Sequence, residues 1–303
     1  MSSAGQPPTT VTIDDTGNDQ NWTTITNSYD CSGFLVATNT IMDNGSTVSE
    51  TFFGPQRLSL TVTDTSANNA NWASRTTEWN WQGQKTARTI EYDNGDERIE
   101  RFDAVTGTRT QRTDIDGNDD KPWTSITTSY DAATGARIGS EKVLDNGRIE
   151  TLTFDADTGV RTSRTLTDGG NDNPWQSKSL TYDANTGQLT ERETVFDDGR
   201  TDTITYQNGK KASQVLTDGD NDTFDWVTRE TTYDANGRLA LAQEVRDDGD
   251  LVVETYAGGR LTGQTTFDNS GNEAWHVEEV TFNTAGDVVD TTYYDESGNL
   301  LIF

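Results

Sequence analysis

The sequence predicts an all-β protein of six tandem repeats, each about 51 residues long and built from about four antiparallel strands. Three observations carry that expectation. A tryptophan recurs about every fifty residues, at Trp22, Trp72, Trp123, Trp175, Trp226 and Trp275. Seven residues after each comes a second aromatic: Tyr29, Trp79, Tyr130, Tyr182, Tyr233 and Phe282. An Asp-(Asn/Asp)-Gly turn then follows at Asp43, Asp93, Asp145, Asp197 and Asp247, with a degraded copy from Asp295 to Gly298. The expected organisation is a tail over 1–11 and one repeat domain over 12–303. Its units run over about 12–62, 63–112, 113–164, 165–215, 216–264 and 265–303.

Unit four shows the elements in order. Trp175 to Tyr182 is the first strand, and Asp183-Ala-Asn-Thr-Gly187 is a loop. Gln188 to Phe196 is the second strand and Asp197-Asp-Gly199 the next turn. Arg200 to Tyr206 and Lys210 to Thr217 are the third and fourth strands, joined by Gln207-Asn-Gly209. Each segment is seven to nine residues long and rich in Thr, Val, Tyr and Phe, with no helical period. Asn-Gly and Asp-Gly supply the positive φ angles of a two-residue type I′ hairpin. The Asp-Ala-x-Thr-Gly loops at Asp103, Asp131, Asp155 and Asp183 open on a carboxylate able to cap its own turn and close on a glycine.

Read by simple alternation, the second strand puts Leu189, Glu191, Glu193 and Val195 on one face. Thr190, Arg192, Thr194 and Phe196 take the other. Charge on both faces predicts an elongated, twisted, single-layer meander or spiral held by cross-strand ladders. The alternative is a six-bladed β-propeller, which matches six units of four strands. The odd spacing of tryptophan and second aromatic points the two rings to opposite faces unless a bulge resets the register. The rings read as packing knobs of the repeat, and a ligand-stacking stripe is the other reading.

Composition bounds function. Apolar residues make up 30% of the chain, too few for a deep two-layer core. A net charge of −28 repels nucleic acid and anionic membranes and favours cations. Cys31 and His276 are the only residues of their kinds, which excludes an intramolecular disulfide and Cys/His zinc clusters. The N-terminus lacks the basic and apolar regions of a secretory signal, and no run reaches membrane-spanning length. The chain is expected to be soluble and extracellular or at the cell surface, exported without an N-terminal signal peptide, or carried on a virion.

The loop before each tryptophan alternates carboxylates and amides around a glycine, the oxygen-rich pattern Ca²⁺ requires. The candidate metal ligands are Asp14, Asp15, Asn18 and Asp19 in unit one, and Asp114, Asp116, Asn118 and Asp119 in unit three. Unit four offers Asp168, Asn171 and Asp172; unit five Asp218, Asp220, Asp222 and Asp225; unit six Asp268, Asn272 and Glu273. In unit two, Asp64-Thr-Ser-Ala-Asn-Asn69 has lost most of these acids and is expected to bind least. Solvated turns are the competing reading of the same residues. No unique carboxylate pair, phosphate loop, or nucleophile beside His276 marks an active site, so no catalytic residue and no cofactor other than Ca²⁺ is expected.

Tyr233-Asp-Ala-Asn-Gly-Arg-Leu239, with looser versions at Tyr130, Tyr182 and Tyr294, resembles the YD (RHS-type) repeats of bacterial surface and toxin-delivery proteins. The Asp-Gly-x-Asn-Asp…Trp insertion is similar to that in repeat segments of large, type I-secreted bacterial proteins, often found beside calcium-binding modules. The resemblance covers units three to five well, with units one, two and six more divergent. RHS proteins form closed shells from many more repeats around a protease region that has no counterpart in this sequence. The ending Leu300-Leu-Ile-Phe303 resembles a type I secretion signal, or is a last strand closing the sheet. The expected function is a non-enzymatic adhesive or structural spacer, with a cell-surface or matrix component as partner. A virion component, such as a phage fibre or decoration protein with virion partners, is the alternative. A carbohydrate-binding or carbohydrate-processing module is the second alternative. A homo-oligomer is compatible with each.

Overall fold

The computed structural model describes residues 8–65, 70–219 and 224–302. Among these there is no helix. The chain divides into two compact units, Met1–Asp145 with Phe154–Gly159, and Asn146–Thr153 with Val160–Phe303.

In the first unit the strands are β1 (Thr9–Asp14), β2 (Trp22–Tyr29), β3 (Leu35–Met42), β4 (Thr47–Phe53), β5 (Gln56–Thr63) and β6 (Trp72–Trp79). They continue as β7 (Lys85–Tyr92), β8 (Glu97–Phe102), β9 (Arg109–Ile115), β10 (Ser125–Tyr130) and β11 (Arg137–Val143). Strand β12 (Ile149–Phe154) falls at the division. The second unit holds β13 (Arg161–Thr167), β14 (Trp175–Tyr182), β15 (Leu189–Phe196), β16 (Thr201–Gln207), β17 (Lys210–Thr217) and β18 (Trp226–Tyr233). It ends with β19 (Leu239–Arg246), β20 (Leu251–Ala257), β21 (Arg260–Phe267), β22 (Val277–Phe282), β23 (Val288–Tyr294) and β24 (Leu300–Leu301).

Within each unit every strand pairs antiparallel with the next in sequence, so each is an open meander of the expected kind. The propeller alternative fails on the repeat junctions. Strands β5 and β6, β9 and β10, β17 and β18, and β21 and β22 are hydrogen-bonded neighbours, where separate blades would have no ladder. Packing is one layer deep. Only Ile90, Trp175, Ile204, Trp226 and Val252 are buried apolar side chains among the described residues, and none is completely enclosed.

A bulge settles the ring spacing. Trp175 sits opposite Phe196, but Ser177, two residues on, sits opposite Val195, so Gln176 is the extra residue. The same shift follows Trp22, Trp72 and Trp226. One extra residue turns a separation of seven into an even one, and Trp175 and Tyr182 fall on the same face. A second bulge at Thr190, between Leu189 and Glu191, moves Leu189 onto that face as well. The face assignment from simple alternation is therefore corrected: Leu189 joins Arg192, Thr194 and Phe196 on the ring-bearing face, leaving Glu191, Glu193 and Val195 opposite.

The two faces differ in chemistry. The ring-bearing face holds every buried strand residue of either unit, including Ile90, Trp175, Asp202, Trp226 and Val252. Its rings are overlaid by cations: Arg75 over Trp72 at 4.4 Å, Arg161 over Tyr182 at 4.3 Å and Arg229 over Trp226 at 4.9 Å. Such contacts contribute roughly 0.5–1 kcal/mol each where exposed. Several of these arginines and their neighbours also meet carboxylates, as in Arg57–Glu50 (2.7 Å), Arg109–Glu100 (2.8 Å) and Arg229–Glu244 (2.6 Å). The opposite face is laddered by hydroxyls, with Thr61 and Thr76 at 2.9 Å, Thr113 and Thr127 at 3.0 Å, and Thr205 and Ser213 at 2.7 Å.

The Asp-Asn-Gly turns depart from the type I′ expectation. Gly45 has φ 82° and Gly95 φ 89°, while Asn44 and Asn94 keep negative φ. The Gly45 N–H donates to the Met42 carbonyl and the Met42 N–H to the Ser46 carbonyl. This is a type I turn closed by a left-handed glycine bulge, which needs one positive φ rather than two. Two consecutive positive angles occur instead at Asn208–Gly209 and Gly258–Gly259, between the third and fourth strands. The Asp-Ala-x-Thr-Gly loops are capped as expected. The Oδ1 of Asp131 accepts from the Ala133 N–H (3.1 Å), the Thr134 N–H (2.8 Å) and the Thr134 hydroxyl (2.8 Å).

Candidate functional site

The loops before the tryptophans share one internal construction. The aspartate that follows the fourth strand keeps its backbone in the ladder: the Asp116 N–H donates to Thr124 and the Asp268 N–H to His276. Its side chain then accepts the N–H of the residue five positions on. Asp15 takes Gln20 (3.0 Å), Asp116 takes Lys121 (2.8 Å), Asp168 takes Asn173 (2.8 Å) and Asp268 takes Glu273 (2.9 Å). Asp218, in a loop one residue longer, takes Phe224, six positions on, at 3.1 Å. Three positions after the cap, the chain turns left-handed at Asn18, Asp119, Asn171 and Gly271. Asn and Asp tolerate that conformation better than most residues, which accounts for the D-x-x-N/D spacing.

These contacts place most of the predicted ligands. Asp15, Asp116, Asp168, Asp218 and Asp268 are the caps. Asp268 is the most complete, accepting also from the Ser270 hydroxyl and the Gly271 and Asn272 N–H groups, and its carboxyl lies below the ordinary range. Asn272 and Glu273 thus meet Asp268 through their backbones. Asn18, Asp119 and Asn171 are the left-handed residues, and Asp19, Asn118 and Asp172 are exposed beside them. Asp225 is exposed, and its carbonyl accepts the Asp247 N–H at 3.4 Å. Asp14 and Asp114 lie on strands rather than in the loops. Asp14 accepts from the Thr24 hydroxyl, and Asp114 is clasped on the ring-bearing face by Arg98 (2.8 Å) and Arg112 (2.7 Å). Asp220 and Asp222 lie outside the described residues, as does the unit-two segment 66–69.

From unit two onward, the loops dock on the Asp-(Asn/Asp)-Gly turn of the unit before them. Thr65 donates its hydroxyl to the Asn44 carbonyl (3.0 Å), and Asn269 donates its side-chain amide to the Gly249 carbonyl (3.0 Å). Gly117 and Gly169 instead bring backbone against the carbonyls of Gly95 and Gly147, so closely that a Cβ would collide. The docking joins acids that are distant in sequence. Asp96, from the turn, reaches Asp116 and Asp120, with one carboxylate oxygen of each inside a 4.8 Å group. Among them sits the Lys121 ammonium, 2.7 Å from Asp96, 3.2 Å from Asp116 and 2.9 Å from Asp120. The three acids push the lysine pKa up, and the lysine pulls those of Asp96 and Asp120 down. Sequence reasoning missed Asp96 because it precedes the loop by twenty residues. The turn position of Asp96 carries Arg148 and Arg200 in the following repeats, and these cations stand over Trp175 (5.7 Å) and Phe224 (5.2 Å).

Beside the unit-three loop a cleft of about 730 Å³ opens on the ring-bearing face, lined by Tyr92, Arg98, Arg112, Asp114, Lys121 and Trp123 among others. Its rings already carry cations, Arg98 over Tyr92 at 5.8 Å and Lys121 over Trp123 at 5.4 Å. Among the described residues, His276 and Cys31 belong to no cluster of this kind. The His276 ring nitrogen lies 3.1 Å from the Asp268 carbonyl, and Cys31 is exposed in a turn.

The self-capping aspartates of the opposite rim give a pH dependence. Asp103, Asp131, Asp155 and Asp183 all titrate below the ordinary carboxylate value, because Thr N–H and hydroxyl donors hold the ionised form. With the folded value depressed, their stabilisation is complete above about pH 5, begins to fall as the unfolded chain takes up protons near pH 4, and is lost as pH falls through the folded values. Melting temperature is expected to be flat from neutral pH down to about pH 5 and then to fall. Ordinary carboxylate titration of these four groups by NMR would contradict the assignment.

No protein-family model matches the chain, and no curated protein matches it. Among solved structures, the crystal structure of TcdB2-TccC3 is similar at 13% identity, over 97% of this chain and 19% of that one, with a TM-score of 0.23. The TcdB2-TccC3-Cdc42 structure gives 14% identity over 92% of this chain and 19% of that one, with a TM-score of 0.20. A porin-like protein from Bacteroides uniformis gives 13% identity over 85% and 91% of the two chains, with a TM-score of 0.17. This chain therefore spans about a fifth of the length of the TcdB2-TccC3 chains it matches.

Proposed function

We propose that this β-repeat protein is a non-enzymatic, extracellular scaffold, an adhesive or structural spacer whose loops are stiffened by Ca²⁺. One observation carries the reading: the polar groups that chemistry would need are spent on repeated structural contacts. The capping aspartates Asp15, Asp116, Asp168, Asp218 and Asp268 hold backbone N–H groups, several strand carboxylates of the ring-bearing face pair with arginines, and His276 packs against a main-chain carbonyl. Such a repeat offers rigidity and surface, which is what a spacer supplies. Calcium would add to the caps through the exposed carboxylates of Asp19, Asp119 and Asp172, which face solvent beside the left-handed turn. In unit three the Lys121 ammonium already holds the place among Asp96, Asp116 and Asp120.

A thermal melt in EDTA, in millimolar Mg²⁺ and in millimolar Ca²⁺ tests this. A ligand at one hundred times its dissociation constant stabilises the native state by about 2.7 kcal/mol, so a Ca²⁺-specific rise of several degrees is expected. Lys121→Met should enlarge the rise by freeing the unit-three acids. Identical melts in Ca²⁺ and Mg²⁺, with Lys121→Met unresponsive, would leave the loops as plain capped turns and remove calcium from the proposal.

A further inference from the structure

The acidic loops lie along one rim of the meander, and the opposite rim of the first unit carries apolar tips. Successive strands run antiparallel, so the turns β2–β3, β4–β5, β6–β7 and β8–β9 all fall on that second rim. They present Phe34, Phe53, Trp81 and Val105, which are 62%, 67%, 68% and 85% exposed. The turns hold these residues in place. Asp30 Oδ1 accepts the Phe34 N–H (2.9 Å), and Asp103 Oδ1 accepts the Val105 N–H (3.0 Å). Asn80 Oδ1 accepts the Gln82 and Gln84 N–H groups (3.0 Å each) around Trp81. Matching turns of the second unit carry Ala184–Asn185, Asn208–Gly209, Ala235–Asn236 and Gly258–Gly259. Among the described residues none of those turns bears an exposed large apolar side chain, so the stripe is not a requirement of the repeat.

A cation stands four residues after three of the tips: Arg57 after Phe53, Lys85 after Trp81 and Arg109 after Val105. Each lies over a ring of the neighbouring strand, Trp79 (5.2 Å), Phe102 (3.7 Å) and Tyr130 (4.6 Å), which fixes it behind the tip. Apolar tips with Lys and Arg just behind them match a membrane interface, where rings reach the acyl boundary and cations stay with the phosphates. Carboxylates balance these cations. Glu50 pairs with Arg57 (2.7 Å) and Glu100 with Arg109 (2.8 Å), while Asp30 and Asp103 cap their own turns. The rim has no excess of positive charge, and the headgroup it fits is zwitterionic rather than anionic.

We propose that this rim of the first unit docks on a zwitterionic phospholipid bilayer, with Phe34, Phe53, Trp81 and Val105 entering the interface. Area favours lipid over a second copy of the chain. The four side chains expose on the order of 500 Å², since a whole aromatic side chain offers about 150–250 Å². A stable protein interface needs about 800 Å² from each partner, whereas a bilayer takes each tip separately. The net charge of −28 does not oppose the contact. Acids of the other rim lie one strand length away, about 25 Å. That is about three Debye lengths at physiological salt. The proposal rests on the adhesive reading above, naming the surface held, and leaves the calcium loops uninvolved.

The first experiment is sedimentation of the full chain with phosphatidylcholine vesicles at physiological salt. Binding is expected, and phosphatidylglycerol in the vesicles should not strengthen it. Phe34→Ala and Trp81→Ala should each weaken partitioning roughly tenfold while melting like wild type. Val288→Ala, at a strand position of the second unit that is 57% exposed, should leave it unchanged. Cys31, the only cysteine, is exposed in the turn of Phe34 and takes a polarity-sensitive dye. Its emission should rise and shift blue with vesicles, and the gain should shrink in Trp81→Ala at the same lipid concentration. A folded wild-type chain that ignores phosphatidylcholine overturns the proposal and leaves the adhesive reading to another surface. Tip variants that bind like wild type, or binding that appears only with anionic lipid, also overturn it. So does a concentration-dependent dimer, lost in Trp81→Ala, without vesicle binding, which would assign the rim to a second copy.

Discussion

Replacing Trp226 with alanine is expected to destabilise the protein by about 3–5 kcal/mol, the usual cost of deleting a buried ring. In a single-layer sheet this residue is 4% exposed, because neighbours cover it from several directions. Phe224 stacks on it at 5.0 Å and 21°, the Arg229 guanidinium lies 4.9 Å from its centroid, and Arg246 sits opposite it on β19. The bulge at Val227 aims the ring at this position. Urea titration followed by circular dichroism reads the loss, and Trp81→Ala provides the contrast. Trp81 is 68% exposed in a turn, and its removal should change stability by no more than about 0.5 kcal/mol. Equal effects at the two sites would mean that the recurring tryptophans are not what holds the repeats together. In a quasi-one-dimensional array the damage should also be local, with hydrogen exchange accelerating first in β17 to β19.

Gly169→Ala is expected to cost about 1–3 kcal/mol, for a different reason. Its φ is not in the left-handed region, so an alanine backbone is acceptable there. The added methyl, however, would enter the Gly147 carbonyl, where the loop presses on the preceding turn. Either the loop lifts or the turn shifts, and both disturb the bonds that seat Asp168. Gly17→Ala is the matched control, since the nearest atom to its Cβ is an Asp19 carboxyl carbon at 3.7 Å, an ordinary contact. It should be neutral within about 0.5 kcal/mol. A neutral Gly169→Ala would show that loop and turn are not packed in solution.

Much of the fold could be read from the chain before any coordinates. The period of the tryptophans, the strand lengths and the turn residues are local properties, each set by a few neighbouring side chains and their backbone preferences. They gave four strands per repeat, and the charge on both strand faces gave the open meander. The self-capping of Asp103, Asp131, Asp155 and Asp183 was legible for the same reason, because donor and acceptor lie within four residues. The acidic loops were legible as loops but less so as sites. Their regular aspartates signalled oxygen ligands, and the sequence carried no sign that one aspartate in each would turn inward to cap a backbone N–H five or six residues on.

By itself, then, the sequence determined the repeat, its strands and the loops in which the acids gather. Only the tertiary structure decided which face each side chain occupies, because one bulged residue such as Gln176 or Thr190 inverts the parity of all that follows. It also decided which charges meet. Asp96 and Lys121 are twenty-five residues apart and come together only because a loop docks on the turn of the preceding repeat. Backbone preferences act over a few residues and leave their mark in composition, whereas register and docking depend on how neighbouring strands align.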